Sequence, residues 1–289
     1  MNTTIPSEAE AFLKKVHEEM LPKFLSSVLP LYAEKDNRRG LEGTGTLFRI
    51  ADTSFVITAA HVVEIETKGR CPLYIAGSGN NAIPVRLQTR RSLIRPQSLD
   101  VAILELDDKT VEGLPPECGF LHLFDMESGD NLPPTEWYYV HGYPSCWAGT
   151  GPMREKHLTY ASVLYVGPTN NLADYDPDNH VLVEWYTTKN FRFDGGTGEF
   201  PNAFGGISGS SVWRTHATPG NLSTWSPDMA KVVGVQTGKY RPRKYMRNGV
   251  EVEAFPIQAA RWRVILETLW EEYPDLKAAQ RIRVPRRSH

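Results

Sequence analysis

The chain has 289 residues, 40% of them hydrophobic, with 32 basic against 34 acidic side chains and a formal net charge of -2. This is too apolar and too evenly charged for a disordered or fibrous chain, and it suits one large domain or two closely packed halves. The balance gives no global field for holding nucleic acid, and the basic close "RIRVPRRSH" reads as a solvated tail.

In chain order, Ser7 and Glu10 form a capping-box pattern, and Phe12, Leu13, Val16 and Met20 recur at helical spacing, which predicts an amphipathic helix from 7 to about 21. Pro22 and Pro30 interrupt the next stretch. From Gly43 the texture changes to short runs rich in Val, Ile, Tyr, Trp and Thr between Gly, Pro, Asn and Asp: "GTGTLFRI", "SFVITAA", "PLYIAG", "PVRLQT", "VAILEL", "EWYYVHGY", "LTYASVLYVG", "HVLVEWYTTK", "SSVWRT", "KVVGVQTG" and "VEVEAFPI". Many short strands with turn signals between them mean an all-β barrel or sandwich. After Pro256, Ala260, Trp262, Ile265, Leu266 and Leu269 share a helical face. The segments near 125–136, 167–179 and 191–205 lack pattern and read as surface loops.

The N-terminus lacks the order of a secretory signal and no apolar run is long enough for a bilayer, so the expectation is a cytoplasmic protein without a membrane contact. Cys71, Cys118 and Cys146 are odd in number and widely spaced, which fits neither a disulfide framework nor a metal-binding pair. Neither a metal nor another cofactor is expected.

Nucleophilic serine chemistry needs a hydroxyl, an imidazole, an orienting carboxylate and main-chain donors for an oxyanion. "FVITAAHVV" sets His61 just after an apolar strand, "SLDVAILEL" sets Asp100 at the mouth of another, and "AFGGISGSSVW" sets Ser208 in a glycine cluster. Taken singly, each also fits a semi-buried histidine, a strand-start aspartate and a turn serine. The order His, Asp, Ser and the lack of a G-x-S-x-G elbow exclude the α/β-hydrolase layout.

Together these motifs resemble the trypsin-like serine peptidases of chymotrypsin fold, whose T-A-A-H, D-[VIL]-A and G-x-S-G motifs occur in this order. The pattern is most similar to cytosolic bacterial members without disulfides or zymogen activation, and it covers about residues 43 to 258. The resemblance implies a mainly β chain of two six-stranded antiparallel barrels with an N-terminal and a C-terminal helix. Its parts would be a helical extension over 1–42, a first barrel over 43–125, a second over 126–258, and a helix with a basic tail over 259–289. It implies Ser208 as nucleophile, His61 as general base and acid, Asp100 as orienting carboxylate, and the N–H groups of Gly206 and Ser208 as the oxyanion hole. Ser210 and Ser211 are competing serines, assigned to the following strand. Asn202 and Ala203 would line the base of the specificity pocket, Thr237 would lie near Asp100, and Gly238 would begin the pocket wall.

Two departures matter. Secreted digestive members carry Asp just before the nucleophile, to pair with a newly cut N-terminus; here Ile207 stands there, so no such activation is expected. A neutral Asn202 argues against a Lys or Arg preference, while Lys239, Arg241, Arg243 and Lys244 either favour acidic substrates or form a solvated loop. The expected activity is a serine endopeptidase acting on a protein or peptide through an acyl-enzyme, regulatory and narrow in range, with a regulatory protein partner open. The alternatives are a catalytically silent binding module of the same fold and an esterase with the same triad.

Overall fold

A ridge of Val16, Met20 and Phe24, each buried at 0% exposure, explains the first element of the computed structural model, which describes residues 7–35, 38–69, 71–75, 84–95, 99–127, 129–147, 157–186, 191–193 and 205–283. Helix α1, Ser7–Ser27, runs past Pro22 because the apolar stripe continues to Phe24, and burying that ring outweighs the one hydrogen bond proline forgoes.

The first sheet comes next along the chain. Its strands are β1 (Val28–Lys35), β2 (Arg38–Ile50), β3 (Thr53–Ala59), β4 (Leu73–Ile75), β5 (Val85–Arg86), β6 (Thr89–Arg95) and β7 (Val101–Leu106), with helix α2 (Ala60–Gly69) after β3 and helix α3 (Asp108–Gly113) after β7. The order is β5-β4-β1-β2-β3-β7-β6, antiparallel throughout.

The second sheet takes β8 (Tyr138–Gly142), β9 (Leu158–Ser162), β10 (His180–Trp185), β11 (Phe191–Phe193), β12 (Ser211–Arg214), β13 (Lys231–Lys239), β14 (Arg243–Arg247) and β15 (Val250–Arg261). Their order is β10-β15-β13-β12-β8-β9-β11, with β14 paired to β15. Helices α4 (Trp262–Glu272) and α5 (Pro274–Arg283) close the described chain. The protein is therefore mainly β, with two curled antiparallel half-barrel sheets and helices at both ends of the described chain.

Among the described residues the three largest of five apolar clusters organise it. Leu29, Leu47, Val56, Val62 and Leu104 fill the first sheet, and Tyr138, Val140, Trp185, Ile207 and Ile257 fill the second. The third lies at the seam, where Leu13, Met20 and Phe24 of α1 and Trp262, Ile265 and Leu269 of α4 meet Phe48 and Ile57 of one sheet and Tyr139 and Trp213 of the other. There the Phe24 ring stacks on His141 at 5.1 Å and meets Trp213 edge-on at 5.5 Å, and the Tyr139 hydroxyl donates to Leu13 O at 2.9 Å.

Among the described residues the sheets hold seven and eight strands, more than the six expected of each barrel. Residues 28–42, expected within a helical extension, supply β1 and the start of β2. Pro30 is tolerated because β4 pairs only with Leu31, Tyr32 and Ala33, so the missing N–H faces no neighbour on that side. β6 and β14 are masked in the sequence by their charge. β6 is a sheet edge whose Arg91 and Arg95 bind Glu272 of α4, and in β14 Arg243 donates to the carbonyls of Asn170 and Asn171. Among the described residues no helix is long and apolar enough to cross a membrane.

Truncating the seam tests the packing. Phe24→Ala should lower unfolding free energy by about 3–5 kcal/mol in denaturant titrations, the usual cost of emptying a buried aromatic site; a loss under about 1 kcal/mol would show that α1 docks loosely.

Candidate functional site

The β3–β7 register pairs Ala59 with Val101, so the residues just beyond, Ala60 and Asp100, stand side by side. Asp100 grips the start of α2 three times. Its carbonyl accepts from Ala60 N–H at 2.9 Å, its Oδ1 accepts from His61 N–H at 3.0 Å, and its Oδ2 lies 2.7 Å from His61 Nδ1. This grip holds Asp100 at φ 51°, in the left-handed region that Asp tolerates better than most residues.

The His61 side chain is 47% exposed and that of Asp100 29%. The hydrogen bond from Asp100 raises the His61 pKa above the ordinary histidine value, helped by the charges of Asp100 and Glu64 and opposed by burial. With Nδ1–H given to the carboxylate, a neutral His61 presents Nε2 as its lone-pair nitrogen. That is the form a general base requires.

The serine loop is built on its carbonyls. Gly205 O accepts from Ser145 N–H at 2.7 Å, Gly206 O from Thr44 Oγ1 at 2.7 Å, Ile207 O from Ser210 N–H at 2.9 Å and Ser210 Oγ at 2.6 Å, and Ser208 O from Thr44 N–H at 2.8 Å. In a planar trans peptide the N–H points opposite to the C=O, so tying the carbonyls of Gly205 and Ile207 back into the protein turns the N–H groups of Gly206 and Ser208 away from it. Among the described residues neither N–H donates a hydrogen bond.

Two glycines are required by this path. Gly206 has φ +86°, and a Cβ there would lie 2.5 Å from Tyr143 O; Gly209 has φ +93°, and a Cβ there would overlap Thr44 O and Thr58 Oγ1. Between them Ile207 is 1% exposed in the core of the second sheet, so an apolar anchor occupies the position before the serine. Ser210 and Ser211 are fully buried, the first donating to Ile207 O and the second accepting from Trp213 Nε1 at 2.7 Å. Ser208 is half-buried and its hydroxyl is uncommitted among the described residues.

Helix α2 and the serine loop meet over Gly43. A Cβ on Gly43 would lie 2.6 Å from both methyls of Val62, the neighbour of His61, and 3.1 Å from Ser208 O. No hydrogen bond joins Ser208 Oγ to His61 among the described residues. Thr237 is 3% exposed and among the described residues its Oγ1 makes no hydrogen bond, to Asp100 or to any other group; it sits at a bulge of β13 beside Gly238, which pairs with Gln258. Asn202 and Ala203 lie outside the described residues.

The basic group after β13 is not a loop throughout. Arg243 and Lys244 belong to β14, Arg243 is engaged by two carbonyls, and Lys244 pairs across the strand with Glu253. Cys71 and Cys118 are half-buried thiols and Cys146 is an exposed one. Among the described residues no cluster of His, Cys, Asp and Glu could hold a metal ion. Sequence reasoning misses Thr44, which contacts the loop twice; its one signal is the alternation of glycine and threonine in "GTGT", small residues where another backbone approaches.

No family model matches the chain, and no curated protein does. Among solved structures it is similar to the crystal structure of Deg5, with a TM-score of 0.42 and 10% sequence identity, covering 82% of this chain and 88% of that one.

The His61–Asp100 pair has a signed pH consequence. Because the folded pKa of His61 is raised, the pair contributes stability fully below the unfolded value of about 6.5, and that contribution fades as pH rises through the folded value. NMR titration should find His61 titrating above 6.5 in the wild type and lower in Asp100→Asn. The stability gap between the two proteins should narrow over the same rise in pH; an unchanged His61 titration in the variant would refute the assignment.

Proposed function

We propose that the chain is a serine endopeptidase in which Ser208 attacks the scissile carbonyl, His61 Nε2 takes its proton, and Asp100 holds the imidazole. The observation that carries this reading is the three-fold grip of Asp100 on Ala60 and His61, which fixes both ring orientation and tautomer. The outward N–H groups of Gly206 and Ser208 supply the oxyanion donors, each typically contributing about 3–4 kcal/mol of transition-state stabilisation.

In the first step Ser208 Oγ bonds to the carbonyl carbon while His61 accepts its proton, then returns it to the leaving amine as the peptide C–N bond breaks. In the second, water bonds to the acyl carbon as it loses a proton to His61, which returns that proton to Ser208 Oγ as the ester C–O bond breaks, releasing the acid. A serine–histidine hydrogen bond that is long without substrate and tightens on binding is common for such sites. The buried Ile207 supports a loop formed without a cut N-terminus. We assign the substrate to proteins or peptides and the setting to the cytoplasm, with a narrow, regulatory range.

Fluorophosphonate labelling tests the reading directly. Wild type should be labelled at Ser208, and Ser208→Ala and His61→Ala should lose labelling. Cleavage of a peptide library should fall on the order of 10⁴-fold or more in both variants. Labelling with ester but not peptide turnover would make the chain an esterase. A folded wild type without labelling would leave a binding module.

A further inference from the structure

We infer that Thr44 is a positioning residue for the serine loop, its hydroxyl setting the orientation of the Gly206–Ile207 peptide from the opposite sheet; as a catalytic role this rests on the serine-hydrolase reading above. Thr44 lies on β2, is 0% exposed, and every polar atom it owns is engaged. Oγ1 donates to Gly206 O at 2.7 Å and accepts from Tyr143 N–H at 3.1 Å; N–H donates to Ser208 O at 2.8 Å; the carbonyl accepts from Thr58 Oγ1 at 2.7 Å.

The physical need for such a residue comes from Gly206. At φ +86° and without a Cβ, its flanking peptides rotate more cheaply than those of any other residue type. Rotation of the Gly206–Ile207 unit would break the Thr44 bond and strand a buried hydroxyl and a buried carbonyl, a penalty of the kind that keeps buried polar groups paired. The N–H donors of Gly206 and Ser208 belong to the two flanking peptides, tied by the carbonyls of Gly205 and Ile207 and hinged to this unit at the Cα atoms of Gly206 and Ile207, so pinning the unit between them removes torsional freedom from both.

Thr44 also ties the two halves of the site to one point. Thr58, which donates to its carbonyl, is on β3, the strand that leads into His61. Ser208 O is held by its N–H. The imidazole strand and the serine loop therefore share one anchor, and Gly209, with no side chain, lets the loop approach both threonines.

The test compares Thr44→Val, nearly isosteric but without the hydroxyl, with Thr44→Ser, which keeps it. For a peptide or ester substrate, Thr44→Val should lower kcat by about 10- to 100-fold, a fraction of the loss on deleting an oxyanion donor, with KM within about two-fold. Thr44→Ser should recover kcat to within about three-fold. In parallel, ¹⁵N amide signals of Gly206 to Gly209 should shift and broaden in Thr44→Val and stay near wild-type positions in Thr44→Ser, with a cooperative melt in both. Wild-type kcat and amide signals in Thr44→Val, or equal losses in both variants, would overturn the inference. The amide signals read the loop without turnover, so an unreactive wild type would refute the hydrolase reading while the positioning of the loop by Thr44 was still decided.

Discussion

The apolar seam between the two sheets is the constraint on which the candidate site depends. Each hydrogen bond that crosses from Thr44 to the serine loop contributes about 1 kcal/mol net, whereas burying one large aromatic side chain contributes about 1.5–3 kcal/mol. Phe24, Trp213, Trp262 and Phe48 are all buried there, and the edge-on contact of Phe48 with Trp262 at 4.8 Å joins the first sheet to α4. The polar contacts choose one registration of the sheets; the seam supplies the free energy that keeps them in contact. Both terminal helices are parts of that seam, so the site's geometry is tied to the ends of the described chain as much as to its strands.

Polar atoms around the site divide into two patterns. Asp100 uses its carbonyl and both carboxylate oxygens on two consecutive residues, orienting ring and backbone together. The serine loop also engages its acceptors, the carbonyls of Gly205 to Ser208, but among the described residues it leaves the N–H groups of Gly206 and Ser208 without an acceptor. In the proposed function the outward-facing N–H groups favour developing negative charge at the loop, while the carboxylate of Asp100 favours proton uptake at His61. That division follows from strand register and peptide planarity alone.

Much of this was legible in the residues. Short apolar runs with turn signals imply a mostly β body with a helix at each end, and "TAAH" and "SLDVA" each mark the end or mouth of a buried strand, which is why His61 and Asp100 stand just beyond the paired ends of β3 and β7. Of the two competing serines assigned to the following strand, Ser211 opens β12, while Ser210 stands just before it with its hydroxyl donated to Ile207 O. Other features were hidden for physical reasons. β1 carries a proline that only pairing geometry excuses, and β6 and β14 show arginines because ion pairs and carbonyl contacts, invisible to periodicity, occupy them. Thr44 could not be read, because the groups its hydroxyl meets lie 162 and 99 residues along the chain and a threonine in a strand is ordinary.

The burial of Ile207 sets how the serine loop responds to its surroundings. An ion pair at that position would weaken with ionic strength and with titration of its partners. A sec-butyl group in the core of the second sheet has no charge to screen, and its grip follows the temperature dependence of apolar hydration, loosening on cooling and little affected by salt. The anchor at Ile207 therefore arrives with the folding of the second sheet, and the ties from Thr44 close over a loop already seated on its core.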